Sequence, residues 1–414
     1  MKSEIIAVGS EMLTPFRQDT NSLPLTEKLN EIGVSVAFKT IVGDRRKDIV
    51  GAIKNALART DIVILMGGLG PTEDDLTRES VADALSVRLR REGAQVAALH
   101  ARAATWRIPM PENNLKQADV IEGATVLPNP NGSAPGQWIE TTYGGYRKLI
   151  VLIPGPPNEC RPLFEDECLP RLREIVPVRH IAKRVLKAAM IPESQADKLL
   201  APIYTEYKDV ETTILAHGGD IQLMLLCSKS KKEVAEQRVE ELANKMEEAL
   251  DDWLYSSDGE SLEQIVLYYL GLRQATLAVA ESCTGGMISQ RITAVPGSSR
   301  SFLGGVVVYS NEMKTAFADV APELIEKYGA VSSEVAAALA EGIRKKTGAT
   351  LGLGVTGIAG PTGGTDTKPV GLVHIAVSDA QKTDAFERNF RGTRDRVREW
   401  ASQQALDLIR RKLM

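Results

Sequence analysis

Histidine and cysteine are both scarce in this 414-residue chain, four of each, and each scarcity removes a class of chemistry. The cysteines, Cys160, Cys168, Cys227 and Cys283, show no C-x-x-C spacing and are too sparse for a disulfide scaffold or a structural zinc site, so reduced thiols are expected. The histidines, His100, His180, His217 and His374, lie outside the segments that carry the clearest motif, so any Ser-His-Asp triad must assemble from distant parts of the chain. Excess positive charge is also missing. A formal net charge of −4 gives no global field that attracts nucleic acid. No apolar run approaches the roughly 18 residues of a membrane span. The start, Met1-Lys2-Ser3-Glu4-Ile5, has no signal-peptide pattern, and a cytoplasmic protein without a membrane partner is expected. There is no internal repeat and no low-complexity tract. A hydrophobic content of 43% over this length supports two or three domains, each with its own core.

What is present begins at Glu281-Ser282-Cys283-Thr284-Gly285-Gly286, which closes the apolar run Ala275 to Ala280 and opens a helix-like segment, Met287 to Thr293. A serine at a strand-to-helix turn can be a nucleophile beside backbone N–H groups that stabilise an oxyanion; it can equally be an ordinary N-cap. The base is sought at the end of the next apolar strand, Phe302 to Val308, where Tyr309-Ser310-Asn311-Glu312-Met313-Lys314 follows. If the two strands are neighbours, Lys314 and Tyr309 approach Ser282. A lysine takes a serine's proton only if burial or positive charge lowers its pKa from roughly 10.4; the bland alternative is a solvated lysine at a helix start. Cys283, though a better intrinsic nucleophile, reads as a small packing residue. A third strand end, Gly352 to Gly364, is rich in glycine, which suits close approach of the backbone to a ligand. Three loops from three strand ends then converge on one crevice.

These residues resemble the CinA C-terminal domain, the nicotinamide mononucleotide (NMN) amidohydrolase family. The likeness rests on E-S-C-T-G-G at Glu281 to Gly286, V-Y-S-N-x-x-K at Val308 to Lys314 and G-V-T-G-I-A-G-P at Gly354 to Pro361. The resemblance implies that Ser282 attacks the carboxamide carbon of NMN, that Lys314 is the base with Tyr309 assisting, and that ammonia leaves before water releases nicotinate mononucleotide. Substrate binding is expected at Thr284, Gly285, Gly286, Thr356, Gly357, Ala359 and Gly360, with no cofactor.

The N-terminal part alternates strands and helices: Glu4 to Gly9, Val34 to Val42 and Asp61 to Met66 read as strands, Ser22 to Ile32 and Asp48 to Arg59 as helices. After the last strand comes Gly67-Gly68-Leu69-Gly70-Pro71-Thr72-Glu73-Asp74-Asp75. The glycines suit phosphate, whereas Asp74 and Asp75 repel it unless a divalent cation lies between, so a metal-bridged phosphate ester fits both. The two aspartates could instead cap the following helix. With Gly9-Ser10-Glu11, Asp19-Thr20-Asn21, Val42-Gly43-Asp44 and the loops Asn129 to Gly136 and Ile153 to Glu159, this set resembles the molybdopterin-binding fold as it occurs in the CinA N-terminal domain. The resemblance implies ligand contacts at Gly67, Gly68, Gly70 and Thr72, metal ligands at Asp44, Asp74 and Asp75, and, for some members, metal-dependent ADP-ribose pyrophosphatase activity. The segment Leu13 to Gln18 departs from it, lacking a glycine before the D-T-N run.

Between the two α/β parts, Val178 to Ser257 reads as a small α+β module: strand Ala182 to Met190, helix Glu193 to Tyr204, a hairpin turning at His217-Gly218-Gly219-Asp220, and a charged helix from Lys231 to Ala249. The family resemblance suggests a KH-like domain. It has neither a clear G-x-x-G clamp nor aromatic residues on the β pair, so RNA binding is not expected and a spacer or dimerisation role is. The expected organisation is two α/β domains with mostly parallel sheets, 1–177 and 258–414, joined by a KH-like module at 178–257, in a homodimer. The expected function is NMN deamidation with ADP-ribose hydrolysis; the alternative is a nucleotide-binding, competence-associated scaffold without turnover at the N-terminal site.

Overall fold

The computed structural model describes residues 1–106, 110–177 and 179–414; the expected start of the middle module, Val178, lies outside the described residues. The chain separates into two compact units, Met1–Ile181 with Ser228–Lys232, and Ala182–Cys227 with Glu233–Met414.

In the first unit β1 (Lys2–Val8), α1 (Ser22–Glu31), β2 (Ser35–Val42), α2 (Arg46–Arg59), β3 (Ile62–Met66) and α3 (Thr77–Leu85) follow the expected alternation. Then come β4 (Leu89–Arg91), α4 (Gly93–Trp106), β5 (Asp119–Ile121), β6 (Thr125–Leu127), β7 (Gly136–Tyr143), β8 (Tyr146–Ile153), α5 (Pro157–Leu163) and α6 (Leu169–Ile175). Six strands form one sheet in the order β2-β1-β3-β8-β7-β6, while β4 and β5 pair separately. The four strands from β2 to β8 are parallel, and the β8–β7–β6 edge is antiparallel. Central β3 is buried along its whole length, because helices cover both faces of a parallel sheet and every side chain must be apolar. The loops after β1, β3 and β8 therefore emerge at one sheet edge.

The second unit opens with the α+β module: β9 (His180–Ala189), α7 (Glu193–Tyr204), β10 (Val210–His217), β11 (Asp220–Lys229), α8 (Lys232–Leu250) and β12 (Leu254–Ser256), with sheet order β10-β11-β9-β12. Its hairpin closes through Gly218 and Gly219, both at positive φ (57° and 85°), as a two-residue turn with right-handed strand twist requires. The remainder comprises α9 (Leu262–Leu272), β13 (Leu277–Glu281), α10 (Met287–Thr293), β14 (Phe302–Val307), α11 (Asn311–Ala318), α12 (Pro322–Tyr328), α13 (Ser333–Thr347), β15 (Leu351–Gly357), β16 (Leu372–Ser378), β17 (Thr383–Asn389) and α14 (Arg394–Leu413). The sheet order is β14-β13-β15-β16-β17, parallel across the first three strands and antiparallel across the last three, so it is mixed.

Close packing explains glycines that the sequence suggested were for a ligand. A Cβ on Gly354 would lie 2.3 Å from the Ala336 carbonyl oxygen, and one on Gly352 would lie 2.0 Å from that of Ala340. These two glycines let α13 settle onto β15 and do not face a ligand. Gly342 does the same between α13 and α11, where a Cβ would lie 1.7 Å from the Ala318 carbonyl oxygen.

The last helix, α14, is a sheet cover. It packs its apolar side into the core that also holds Leu353, Val355 and Ile375, and that core takes in Ala189 and Tyr255 of the α+β module. On the same helix Arg410 and Asp407 are buried together at 2.7 Å, and the guanidinium also donates to the carbonyls of Leu254 (3.1 Å) and Asp252 (2.8 Å). A buried arginine stripped of its acceptors is strongly destabilising. A fragment that begins at Ser257 removes both carbonyls, and is expected to melt roughly 5 °C or more below one that begins at Ala182. Equal melting temperatures for the two fragments, measured by calorimetry, would count against this shared core.

Candidate active site and nucleotide cleft

In the second unit the three loops meet as expected. Strand β13 lies between β14 and β15; Val308 donates its N–H to the Glu281 carbonyl (2.8 Å), and Ser282 donates its N–H to the Val355 carbonyl (2.9 Å). Ser282 is thus in register with Thr356, buried, at the mouth of the sheet.

Its neighbour Glu281 corrects the expectation that the turn's amides await an anion. The fully buried Glu281 carboxylate accepts from the N–H groups of Gly286 (3.0 Å), Ile288 (3.1 Å) and Ser289 (2.9 Å), and from the Ser289 hydroxyl (2.8 Å). A carboxylate at a helix N-terminus satisfies the orphan donors and the dipole at once, so the protein has already filled that anion position. Ser282 is not the cap; α10 has no side-chain hydroxyl on its first amides. Burial pushes the Cys283 thiol up to about 12, which keeps it protonated and inert at neutral pH.

Lys314 is not a solvated lysine. It is 2% exposed, and its ammonium donates only to the Tyr309 and Ser310 carbonyls, at 3.3 and 3.4 Å. No carboxylate lies within ion-pair distance of it among the described residues, and Cys283 lies within its electrostatic reach. Desolvation therefore pulls its pKa below 10.5, against weaker opposing pulls from Cys283 and Glu312. Tyr309 is 57% exposed at the entrance, and its hydroxyl accepts from Arg394 at 2.7 Å.

Arg394 and Arg398 were missed by sequence reasoning. Arg394 also donates to the Gly360 carbonyl at 2.8 Å, and Arg398 to the Thr284 carbonyl at 3.0 Å, so the first two turns of α14 clamp all three loops. The available signal was three arginines, 394, 396 and 398, at the start of a helix, where the dipole disfavours cations. The remaining expected contacts are placed unequally. Gly285, Gly286 and Gly360 have positive φ in the loops, and Ala359 is buried beside them. Gly357 packs against Leu372 and Val373 of β16. The Thr356 hydroxyl donates to the Ala330 carbonyl (2.7 Å), while the buried Thr284 hydroxyl has no partner. Of the histidines, His374 pairs with Thr356 across the sheet and is held low by burial, but β15 stands between it and Ser282, so no triad forms.

In the first unit, Gly67, Gly68, Gly70, Thr72, Asp44, Asp74 and Asp75 all line one cleft of about 590 Å³, with Asp19 and Asn21. The glycine loop is held from beneath by residues the sequence did not single out. Thr77 bonds the Gly67 carbonyl through its hydroxyl (2.8 Å) and the Gly68 carbonyl through its N–H (3.1 Å), and buried Arg78 donates to those of Leu69 (2.8 Å) and Gly70 (3.1 Å). In trans peptides N–H opposes C=O, so the amides of Gly68, Leu69 and Gly70 point away from those anchors, toward the cleft these residues line. Inward-turned successive amides of this kind are the arrangement that suits an anion's oxygens.

The acidic residues do not cap α3; both Asp74 and Asp75 accept from the Thr72 hydroxyl, and Asp75 also from the Thr72 N–H at 2.9 Å. Asp44 accepts from the Ser10 N–H at 2.7 Å. Six carboxylates, of Glu11, Asp19, Asp44, Asp74, Asp75 and Glu159, line the cleft with Arg17, and Lys116 reaches the same loop, donating to the Thr72 carbonyl at 3.0 Å. Among the described residues no three metal-ligating side chains gather closely enough to cage an ion. The donor set fits a hard divalent cation only in the manner of magnesium, held by one or two carboxylates and completed by ligand phosphates.

Sequence comparison agrees with this architecture. Residues 259–413 match the model of the CinA C-terminal domain, 4–174 that of a probable molybdopterin binding domain, and 183–256 that of the damage-inducible protein CinA KH domain. A CinA-like protein of Acidobacterium capsulatum is 63% identical over 414 residues, covering 100% of both chains. The chain belongs to the CinA family. A putative competence-damage inducible protein of Acetivibrio thermocellus is 40% identical across 100% of this chain and 99% of its own. The solved structure of competence/damage inducible protein CihA from Agrobacterium tumefaciens, 34% identical, covers 36% of this chain and 90% of its own with a TM-score of 0.35. In this CinA-family chain no described helix is long and apolar enough to cross a membrane.

The buried lysine carries a thermodynamic consequence. Its folded pKa lies below the unfolded value of 10.5, so between the two the unfolded chain binds more protons and stability rises with pH. Below that window the full cost of burying the ammonium remains. Lys314→Met is therefore expected to melt above the wild type at pH 7, with the gap narrowing as pH climbs toward 10.5. A gap that does not change with pH, followed by thermal denaturation, would show that Lys314 has an ordinary pKa.

Proposed function

We propose that the C-terminal domain deamidates nicotinamide mononucleotide by a Ser-Lys mechanism. The observation that carries this reading is Lys314, buried without a carboxylate partner beside the Ser282 turn. Burial that lowers its pKa favours the neutral amine, the form that can serve as a base. In the proposed sequence neutral Lys314 takes the Ser282 hydroxyl proton as the Oγ attacks the carboxamide carbon. Collapse of the tetrahedral adduct breaks the C–N bond, and the Lys314 ammonium returns its proton to the departing nitrogen, which leaves as ammonia. Water, deprotonated by the same amine, attacks the acyl-serine; the C–Oγ bond breaks, the Lys314 ammonium returns the proton to Ser282 Oγ, and nicotinate mononucleotide is released. Tyr309, whose oxygen accepts from Arg394 and so keeps its own proton to donate, assists at the entrance. No metal or cofactor is assigned to this site.

Purified protein incubated with NMN is expected to release ammonia and nicotinate mononucleotide in equal amounts. Ser282→Ala and Lys314→Arg are each expected to lower kcat by roughly 10³-fold or more, the second because a guanidinium stays protonated at working pH. Product formation by Ser282→Ala at the wild-type rate would refute the serine mechanism. Lys314→Arg with full activity would remove the lysine from it.

For the N-terminal domain we infer a metal-dependent ADP-ribose pyrophosphatase, supported by a phosphate cradle set among six carboxylates. Asp74 and Asp75, with Asp44 nearby in the cleft, would hold the cation, which when bound neutralises the phosphates and polarises the bond to be hydrolysed. Arg78 and Thr77 keep the loop amides turned to the phosphate oxygens. Chelation is expected to stop ADP-ribose cleavage and leave NMN deamidation intact. Equal loss of both activities would contradict the division, and binding of ADP-ribose without cleavage in the presence of a divalent metal would favour a scaffold role.

A further inference from the structure

Nearly every amide of the serine turn already has an oxygen to bond. Ser282 donates to the Val355 carbonyl (2.9 Å), Gly285 to the Ser282 carbonyl (3.1 Å) and Met287 to the Thr284 carbonyl (3.3 Å). Gly286, Ile288 and Ser289 donate to the Glu281 carboxylate. Two amides remain. Among the described residues the N–H groups of Cys283 and Thr284 meet no oxygen acceptor, although both residues are buried. An unpaired buried donor costs free energy unless a ligand completes it. The N–H of the residue that follows a nucleophilic serine can bond the oxygen of an adduct formed on that serine.

The Cys283 N–H also ends a chain of hydrogen-bonded peptides. It shares its peptide with the Ser282 carbonyl, which accepts from the Gly285 N–H at 3.1 Å. That N–H shares its own peptide with the Thr284 carbonyl, which accepts from Arg398 Nη2 at 3.0 Å and Nε at 3.3 Å. In a trans peptide C=O and N–H point opposite ways, so the dipoles run head to tail from the guanidinium to the Cys283 N–H. Amides bonded in this way polarise one another, by roughly 10–30% per bond, and a charged donor at the head strengthens the first link. Asp395 stands 3.8 Å from the guanidinium and is mostly solvent-exposed, so it screens that charge little.

We propose that Arg398 is a positioning residue for the deamidation: through the Thr284–Gly285 and Ser282–Cys283 peptides it aligns and polarises the Cys283 N–H, which donates to the oxyanion of the tetrahedral adduct on Ser282. The proposal rests on reading Ser282 as the nucleophile. It places a cation behind the turn, where its charge reaches the oxyanion through two peptides and not by contact with the substrate. The oxyanion exists only in the adduct, so the effect falls on turnover and leaves substrate binding unchanged.

The test is steady-state kinetics of the full-length protein with NMN, across pH, for Arg398→Gln and Arg398→Lys. Glutamine keeps a neutral N–H donor for the Thr284 carbonyl, and lysine keeps a charged one. Removing an oxyanion donor outright costs roughly 10²–10³ in kcat, so losing its polarisation costs less. Arg398→Gln is expected to lower kcat roughly tenfold with KM within about twofold of the wild type, and Arg398→Lys to recover kcat to within roughly threefold. The apparent pKa of kcat is expected to stay the same in both, because Lys314 is untouched. Equal kcat in the two variants would overturn the proposal, since charge would then not matter. A rise in KM as large as the fall in kcat would overturn it as a loss of the turn's shape, and a shifted apparent pKa would overturn it as a direct effect on Lys314. If the wild type releases no ammonia from NMN, or Ser282→Ala keeps its activity, the serine reading itself fails and the proposal falls with it.

Discussion

The constraint on which the C-terminal half of this protein turns is one ammonium group kept out of water and without a carboxylate partner among the described residues. Lys314 is held there by the close approach of α11, α13 and the sheet, and that approach is possible only because Gly342, Gly352 and Gly354 present no Cβ at the contact points. The α13 face contributes Ala336 and Ala340, the smallest side chains that still favour a helix. Larger residues would lift α13 from the sheet, let water reach the lysine, and restore its ordinary pKa. Packing density here is part of the proton chemistry.

That constraint explains both what could be read in the sequence and what could not. The strand ends that carry Ser282, Tyr309 with Lys314, and Gly357 to Gly360 are marked locally, by an apolar run followed by glycine or a helix cap, and they fell where expected. The hairpin at Gly218-Gly219 and the strand-loop-helix at Gly67 to Thr77 are legible for the same reason. Gly352 and Gly354 were misjudged because a glycine that admits a helix and one that admits a ligand look alike until the partner is known. Glu281 is harder still. Its carboxylate belongs to the most evident motif in the chain, yet its task of filling the helix terminus shows only when the α10 amides are seen to converge on it. Arg78 acts through the Leu69 and Gly70 carbonyls that the fold brings to it, and its burial leaves no mark in a local pattern.

The two sites solve opposite electrostatic problems. Around Lys314 no carboxylate stands within ion-pair distance among the described residues, and burial lowers the pKa of its ammonium. In the N-terminal cleft carboxylates are concentrated, six of them, with Arg17 in the lining and Lys116 on the Thr72 carbonyl, so negative charge predominates. An acidic side chain moved beside Lys314 would undo the first arrangement for Coulombic reasons. The formal net charge of −4 conceals this division, because the charge that matters is local.

The position of Arg394 and Arg398 follows from what the catalytic loops need. Three loops from three strands leave carbonyls at Thr284 and Gly360 and a phenol at Tyr309, and a single element must hold all of them without bringing a carboxylate near Lys314. Guanidinium groups supply donors without adding negative charge, and their planar forks bond two acceptors at once. The start of α14 is an unfavourable place for cations, yet it is the one stretch of that helix free to reach the strand ends, since from Ala401 to Arg410 every residue is buried against the core. The same helix ends in the buried Asp407–Arg410 pair that grips the Asp252 and Leu254 carbonyls. One helix therefore anchors the α+β module at one end and holds the loops of Thr284, Tyr309 and Gly360 at the other, which is why its buried stretch and its arginines occupy separate segments.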